Sequence, residues 1–113
     1  MDEGWQINYY ISSSGDSPVK NFLDERPVVK SKAFRIFQYI KEYGLTVAIP
    51  HIKKLAGTPI WEIRILGGDS VRIFYITRQE KKILLLHAFV KKTDKTPPKE
   101  IAIALSRIPP IDK

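Results

Sequence analysis

Alternating apolar and polar residues predict three strands along the chain. The segment 5–11 begins with such an alternation and is rich in aromatic and β-branched residues. Residues 61–65 alternate strictly, and residues 71–76 carry valine, isoleucine and tyrosine at every second position. The Gly-Gly-Asp sequence at 67–69 separates these two segments and predicts a hairpin turn. A fourth strand is predicted at 83–90, where an almost unbroken apolar run is typical of a strand covered on both faces.

Apolar residues at a spacing of about 3.6 residues predict three helices. The clearest covers residues 28–43, and Gly44 follows it where a C-terminal cap is expected. A shorter helix is predicted to begin after Ser17, which precedes a proline, and to end near Arg26. The last helix is predicted to have Pro97 at its first position. The apolar face of the longest helix comprises Val29, Ala33, Ile36, Phe37, Ile40 and Tyr43, and that of the last comprises Ile101, Ala104, Leu105 and Ile108.

The predicted order of elements is β-α-α-β-β-β-α, with residues 52–55 as a short lead-in to the second strand. Hairpin connections between the later strands favour a mainly antiparallel sheet, and we expect the helices to pack on it. The sequence therefore predicts a small α+β fold. A length of 113 residues fits one domain, with boundaries 1–113.

Composition narrows the classes of protein to which the chain can belong. It contains no cysteine, which excludes disulfides, cysteine-ligated metal centres and thiol catalysis. The sequence has no Walker-type phosphate loop, no metal-binding histidine pair and no spaced carboxylate cluster, so we expect no metal and no other cofactor. No apolar run approaches the length of a membrane span, and the first residues do not resemble a signal peptide. We expect a soluble cytoplasmic protein with no membrane partner.

The chain is basic, with 19 Lys and Arg against 12 Asp and Glu and a formal net charge of +7. A charge of this sign favours a polyanionic partner such as a nucleic acid. If consecutive strands pair, the lysines at 53–54, the two strand arginines and the lysines at 91–92 converge on one open sheet face as a phosphate-sized groove. Alternatively, the lysines are solvated strand ends and Arg64 pairs with Glu62 or Glu80. The candidate binding residues are His51, Lys53, Lys54, Arg64, Arg72, Lys91, Lys92, Lys95 and Lys99.

Such a groove suits RNA cleavage without a metal, because the ribose 2′-hydroxyl supplies the nucleophile. The site then needs a base for that hydroxyl, cations for the phosphorane charge and an acid for the leaving oxygen. Arginine and lysine fill the middle role, and they can depress the pKa of a neighbouring lysine until it serves as a base. Candidates for proton transfer are His51, Lys54, Lys91 and, if it faces out, His87. Because His87 lies within the apolar run, it is more simply explained as a satisfied core histidine.

Four motifs in residues 51–108 occur together and in a fixed order. They are IWEIRI at 60–65, VRIFY at 71–75, LLHAFVKKT at 85–93 and KTP at 95–97. In these motifs the chain resembles the RelE/ParE toxin superfamily, and it is most similar to the phage-derived HigB-like branch. The resemblance implies a RelE-like fold and the toxin of a type II toxin–antitoxin pair, which cleaves mRNA on the ribosome. It also implies three partners: a cognate antitoxin, often of the helix-turn-helix type, the ribosome and mRNA.

The resemblance assigns roles to individual residues. Arg64 and Arg72 correspond to basic strand positions of the family's site, and Lys92 corresponds to the basic residue that ends the last strand; these three would hold the scissile phosphate. Lys54 belongs to a basic pair that enters the sheet, and His51 lies near a catalytic histidine of HigB-like members; either would transfer protons. The remaining lysines, which would bind RNA or the ribosome, are Lys53, Lys91, Lys95 and Lys99.

Two departures from the family pattern keep other functions open. Glu62 stands where RelE has a lysine, and no tyrosine occurs in residues 100–113, where RelE carries a catalytic one. The acid–base pair of an RNase would therefore differ from that of RelE. One alternative is a ParE-like poison of DNA gyrase that acts by protein binding. The other is a basic RNA-binding domain without catalysis.

Overall fold

A computed structural model of the chain describes residues 4–45, 51–67 and 70–110. These residues contain five strands and three helices. In chain order the elements are β1 (Gln6–Tyr9), α1 (Pro18–Asp24), α2 (Pro27–Tyr43), β2 (Ile52–Lys54), β3 (Trp61–Ile65), β4 (Val71–Arg78), β5 (Lys82–Val90) and α3 (Pro98–Ser106).

All five strands belong to one sheet with the order β1-β5-β4-β3-β2. Neighbouring strands are antiparallel except β1, which lies parallel to β5 at one edge. The predicted α+β class with a mainly antiparallel sheet is therefore confirmed. One detail differs from the predicted order: residues 52–54, predicted as a lead-in, form the edge strand β2, because their backbone pairs with β3. Strand β1 lies beside the last strand, because α1 and α2 carry the chain across the sheet.

Helices cover the sheet on both faces. On one face, α1 and α2 bury Val19, Leu23 and Ile40 against the apolar side chains of the central strands. On the other face, α3 packs over a second apolar cluster that includes Phe74, Leu86 and Phe89. Strand β5 is thus covered on both faces, as its apolar run predicts. Of the residues predicted on the apolar helix faces, Tyr43 and Leu105 are exposed, and both lie in the last turn of their helix.

A β-bulge in β5 changes the direction of the side chains that follow it. Phe74 pairs with His87 while Tyr75 pairs with Leu85, so Leu86 has no partner on β4. Leu86 belongs to the cluster beneath α3, and His87 contacts α3 as well. Two consecutive side chains therefore face α3, which strict alternation does not predict.

The ends of the helices agree with the predicted boundaries to within a few residues. Helix α1 begins directly after Ser17, as predicted. Gly44 ends α2 with a φ of 88°, a region that glycine enters without steric strain. Helix α3 begins at Pro98 with Pro97 as its cap, one residue later than predicted. The predicted hairpin turn between β3 and β4 includes positions 68 and 69, which lie outside the described residues. Among the described residues, no helix has the length and apolarity of a membrane span.

Candidate functional site

Strand pairing brings two of the predicted site residues together. Arg64 on β3 and Arg72 on β4 are direct partners, so their side chains project from the same face of the sheet. This is the face that α3 covers in part, because Phe89, the partner of Arg72 on β5, belongs to the cluster beneath α3. Arg64 is half-buried and makes no hydrogen bond or ion pair with any described residue. Two like charges in this arrangement repel each other, and a bound anion would remove the repulsion.

Arg72 is buried, with 7% of its surface exposed, and its charge is partly compensated by Glu62. Its Nη1 donates to the hydroxyl of Ser70 (3.1 Å) and to the carbonyl of Val71 (3.2 Å). Its Nε lies 3.8 Å from Oε2 of Glu62, which is an ion pair but too long for a hydrogen bond. The Nε of Arg72 and the Oε1 of Glu62 are both buried without a hydrogen-bond partner among the described residues. Arg72 therefore adds positive charge beside Arg64 while exposing little surface of its own.

The two lysines of β2 lie on opposite faces of the sheet. Lys53 pairs with Glu62 and so shares the face of Arg64 and Arg72. Lys54 pairs with Trp61 on the face that α2 covers, and its Nζ lies 5.7 Å from the centre of the Trp61 ring. The predicted convergence of Lys54 with the two arginines is therefore wrong. Side chains alternate along a strand that has no bulge, and β2 pairs with β3 without a register shift, so Lys53 and Lys54 cannot both reach one face.

The remaining predicted site residues lie before β2, after β5 and at the start of α3. The backbone N–H of Lys91 donates to the carbonyl of Ser70 (2.6 Å), and its Nζ donates to the carbonyl of Asp94 (2.7 Å). The other candidates are exposed: His51 directly before β2, Lys92 and Lys95 in the loop after β5, and Lys99 in the first turn of α3. No hydrogen bond or ion pair joins these four residues to Arg64 or Arg72 in the part of the chain that the structure describes. Their roles stay predictions.

His87 is held between the sheet and α3. Its Nε2 lies 2.6 Å from Oε1 of Glu100, and Nη1 of Arg107 lies 3.4 Å from its Nδ1. The ring also stacks on Phe89 with a centroid distance of 5.5 Å. Burial lowers the pKa of His87, and Arg107 lowers it further, although Glu100 acts in the opposite direction. The neutral ring that this favours donates from Nε2 and accepts at Nδ1. The interpretation of His87 as a satisfied histidine is confirmed, and it does not face out.

Residues 21–108 match the family described as "Phage derived protein Gp49-like (DUF891)". The chain belongs to this family. The matched stretch contains β2 to β5, α2 and α3, and with them the arginine pair, Glu62 and the His87 cluster. A comparison with curated proteins gave no match. Membership of the RelE/ParE superfamily and of its HigB-like branch stays a prediction.

The stability of this Gp49-like protein is expected to fall as the pH drops below about 6.5, the ordinary pKa of histidine. The pKa of His87 is lower in the folded state, so the unfolded state binds more protons in this range. The stabilising contribution is complete above the unfolded pKa and is lost as the pH falls toward the folded one. One such proton changes the free energy of unfolding by at most about 1.4 kcal/mol per pH unit.

Urea unfolding between pH 7 and pH 5 measures this dependence. We expect His87→Gln to flatten the slope, while His51→Gln, which alters an exposed histidine, leaves it as it is. An unchanged slope in His87→Gln would contradict the assignment.

Sequence reasoning missed three charged residues of this Gp49-like protein. Alternation along β3 turns Glu62 away from the main core, which suggests exposure, yet 4% of its surface is exposed. Glu100 and Arg107 reach His87 from α3, and nothing in their local sequence indicates that partner. Among the described residues, no group of three or more His, Asp or Glu is placed to hold a metal ion.

Proposed function

We propose that this Gp49-like protein is the toxin of a type II toxin–antitoxin pair, in the HigB-like branch of the RelE/ParE superfamily, and that it cleaves mRNA on the ribosome. The observation that carries the proposal is the pairing of Arg64 with Arg72. Guanidinium groups bind phosphate oxygens through two parallel hydrogen bonds. The guanidinium of Arg64 makes no hydrogen bond or ion pair with any described residue. The net charge of +7 further favours a polyanionic substrate.

The proposed reaction uses the substrate's own ribose as nucleophile. The 2′-oxygen loses its proton to a base and attacks phosphorus, the bond from phosphorus to the 5′-oxygen breaks, and an acid protonates the leaving oxygen. The products are a 2′,3′-cyclic phosphate and a free 5′-hydroxyl. Arg64 stabilises the negative charge that builds up on the phosphorane oxygens. Arg72, which is buried, contributes to the same stabilisation through the electrostatic field of its guanidinium group. We also assign phosphate contact to Lys92, which is exposed beyond the end of β5.

We assign proton transfer to His51 and Lys53. Lys53 is exposed on the face that carries Arg64, and His51 is exposed directly before β2. Lys54, the lysine favoured by the sequence, is less suited because it lies on the opposite face. Lys91 is also less suited, since its amino group is already bound to a loop carbonyl.

The proposed partners follow from the proposed activity. The exposed Lys95 and Lys99 would contact RNA of the ribosome, together with Lys91. The ribosome as target implies a cytoplasmic location, and a toxin of this kind requires a cognate antitoxin, which we expect to be of the helix-turn-helix type.

A basic RNA-binding domain without catalysis is the second candidate function. One observation favours it: His87, a candidate for proton transfer, is already engaged by Glu100 and Arg107. The burial of Glu62, at a position where RelE has a lysine, favours it as well. Such a domain would use the arginine pair for binding alone.

Induction of the protein in a bacterial host, followed by mapping of transcript 5′ ends, tests the proposal. We expect growth arrest and cleavage in phase with codons, because the ribosome presents mRNA one codon at a time. The new ends should carry a 5′-hydroxyl. DNA breakage and an SOS response without phased cleavage would instead identify a ParE-like gyrase poison. RNA binding with neither cleavage nor DNA damage would identify the second candidate.

A further inference from the structure

The outer edge of β1 has no partner strand among the described residues. In the parallel pairing with β5, the backbone N–H groups of Gln6 and Tyr10 donate toward β5, to the carbonyls of Lys81 and Leu85. Because backbone groups alternate along a strand, the N–H and C=O groups of Ile7 and Tyr9 point to the open side. A row of unpaired donors and acceptors of this kind is a template for another strand.

An apolar groove lies directly beside this edge. A cavity of about 140 Å³ separates β1 from α2, and it is lined by Ile7, Tyr9, Phe34, Phe37, Gln38 and Lys41. Phe37 is buried, whereas Phe34 remains 47% exposed. The cavity approaches the roughly 150 Å³ that accommodates a benzene ring, so it has room for one aliphatic side chain.

The rim of the groove carries one lysine that has no ion-pair partner among the described residues. Lys41 makes no ion pair with any described residue. Lys30, whose Nζ lies 5.5 Å from the centre of the Phe34 ring, is bound to Asp24 at 2.7 Å, and Gln38 of the groove donates to Glu42. A carboxylate on the occupant would therefore be attracted to Lys41. A second copy of the chain fits less well, because pairing two β1 edges would bring together two grooves rimmed by Lys41 and two chains of net charge +7.

We propose that the β1 edge and its groove bind an extended segment of an acidic partner protein. The segment adds a sixth strand beside β1, places an apolar side chain in the groove and directs a carboxylate toward Lys41. The proposal goes beyond the proposed function, because the groove lies on the α2 side of the sheet and Arg64 lies on the other. The partner can therefore bind without covering the arginine pair.

A synthetic peptide tests this site. The probe is acetylated and amidated Thr-Val-Thr-Glu-Thr-Val, which presents Val, Glu and Val on one side, and it is titrated into ¹⁵N-labelled protein at low ionic strength. We expect shift changes at the amides of Ile7 and Tyr9 and slower hydrogen exchange of both. The same peptide with lysine in place of glutamate should bind more weakly.

Three variants sharpen the test. Lys41→Glu is expected to weaken binding about fivefold, because a rim attraction becomes a repulsion. Ile7→Pro removes one outward N–H and no bond to β5, and it should abolish binding. Lys81→Glu makes the same charge change on the exposed β4–β5 turn and should leave binding unchanged. Lys41→Glu alters no backbone group, so it remains decisive even where the proline variant fails to fold.

Three results would overturn the proposal. They are equal binding of the lysine-containing peptide, shift changes confined to other surfaces, and a concentration-dependent dimer whose contact includes Ile7 and Tyr9. None of these measurements involves RNA, so their failure would leave the proposed RNase function standing.

Discussion

Arg64→Ala is expected to reduce ribosome-dependent mRNA cleavage about a hundredfold to a thousandfold, the usual loss when one donor to a developing oxyanion is removed. Growth inhibition on induction should disappear accordingly. The fold should survive, since Arg64 makes no hydrogen bond or ion pair with any described residue. Its removal also relieves the repulsion from Arg72 on the neighbouring strand. Primer extension on translated mRNA measures the activity, and urea unfolding measures the stability.

Two further variants give this experiment its controls. Arg35→Ala removes the same charge from an exposed position on α2 and should leave cleavage nearly intact. Arg64→Lys keeps the charge but loses the planar fork that grips two phosphate oxygens, so we expect intermediate activity. Full cleavage by a folded Arg64→Ala protein would show that the scissile phosphate is held elsewhere.

Glu62→Leu is expected to destabilise the protein by about 3–5 kcal/mol, because it leaves the buried guanidinium of Arg72 without its carboxylate. The two side chains are 5% and 9% exposed, so water compensates little for the loss. The double variant Glu62→Leu/Arg72→Met replaces both charges by apolar groups and should recover most of the stability. A double-mutant cycle by urea unfolding measures the coupling.

Glu25→Leu is the matched control for this cycle. Glu25 pairs with Arg26 at 3.7 Å, but its side chain is 76% exposed, so the loss should stay below about 1 kcal/mol. If Glu62→Leu costs no more than Glu25→Leu, Arg72 does not depend on Glu62, and the description of their ion pair is wrong.

Elements whose conformation depends on residues close together in the chain were predictable from the sequence. The spacing of apolar residues gave α2 to within one residue, since helical periodicity is a property of a short segment. The hairpin of β3 and β4 was predictable for the same reason, and with it the convergence of Arg64 and Arg72 on one face if the two strands pair. Their direct pairing depends on the register between the strands, which the sequence did not indicate. The edge strand β2 was not, because three residues carry too little pattern to separate a strand from a lead-in.

Parts of the candidate site that depend on distant segments were beyond the sequence. The register of β2 against β3 selects Lys53 rather than Lys54 for the face of the arginines, and register is set by pairing across strands. The bulge at Leu86 aims His87 at α3, where Glu100 and Arg107 hold it. Each of these contacts joins residues at least nine positions apart, so no local pattern records them.

The sequence by itself determined the kinds of elements, the α+β class and the concentration of cations along the later strands. These properties follow from the periodicity of short segments and from the composition of the chain, and neither depends on contacts between distant residues. Only the tertiary structure decided the strand order, the burial of Glu62 beside Arg72 and the open edge of β1 next to an apolar groove. The physical reason is that strand register, burial and edge exposure are set when segments distant in the chain pack together. This packing determines which face of the sheet each side chain occupies.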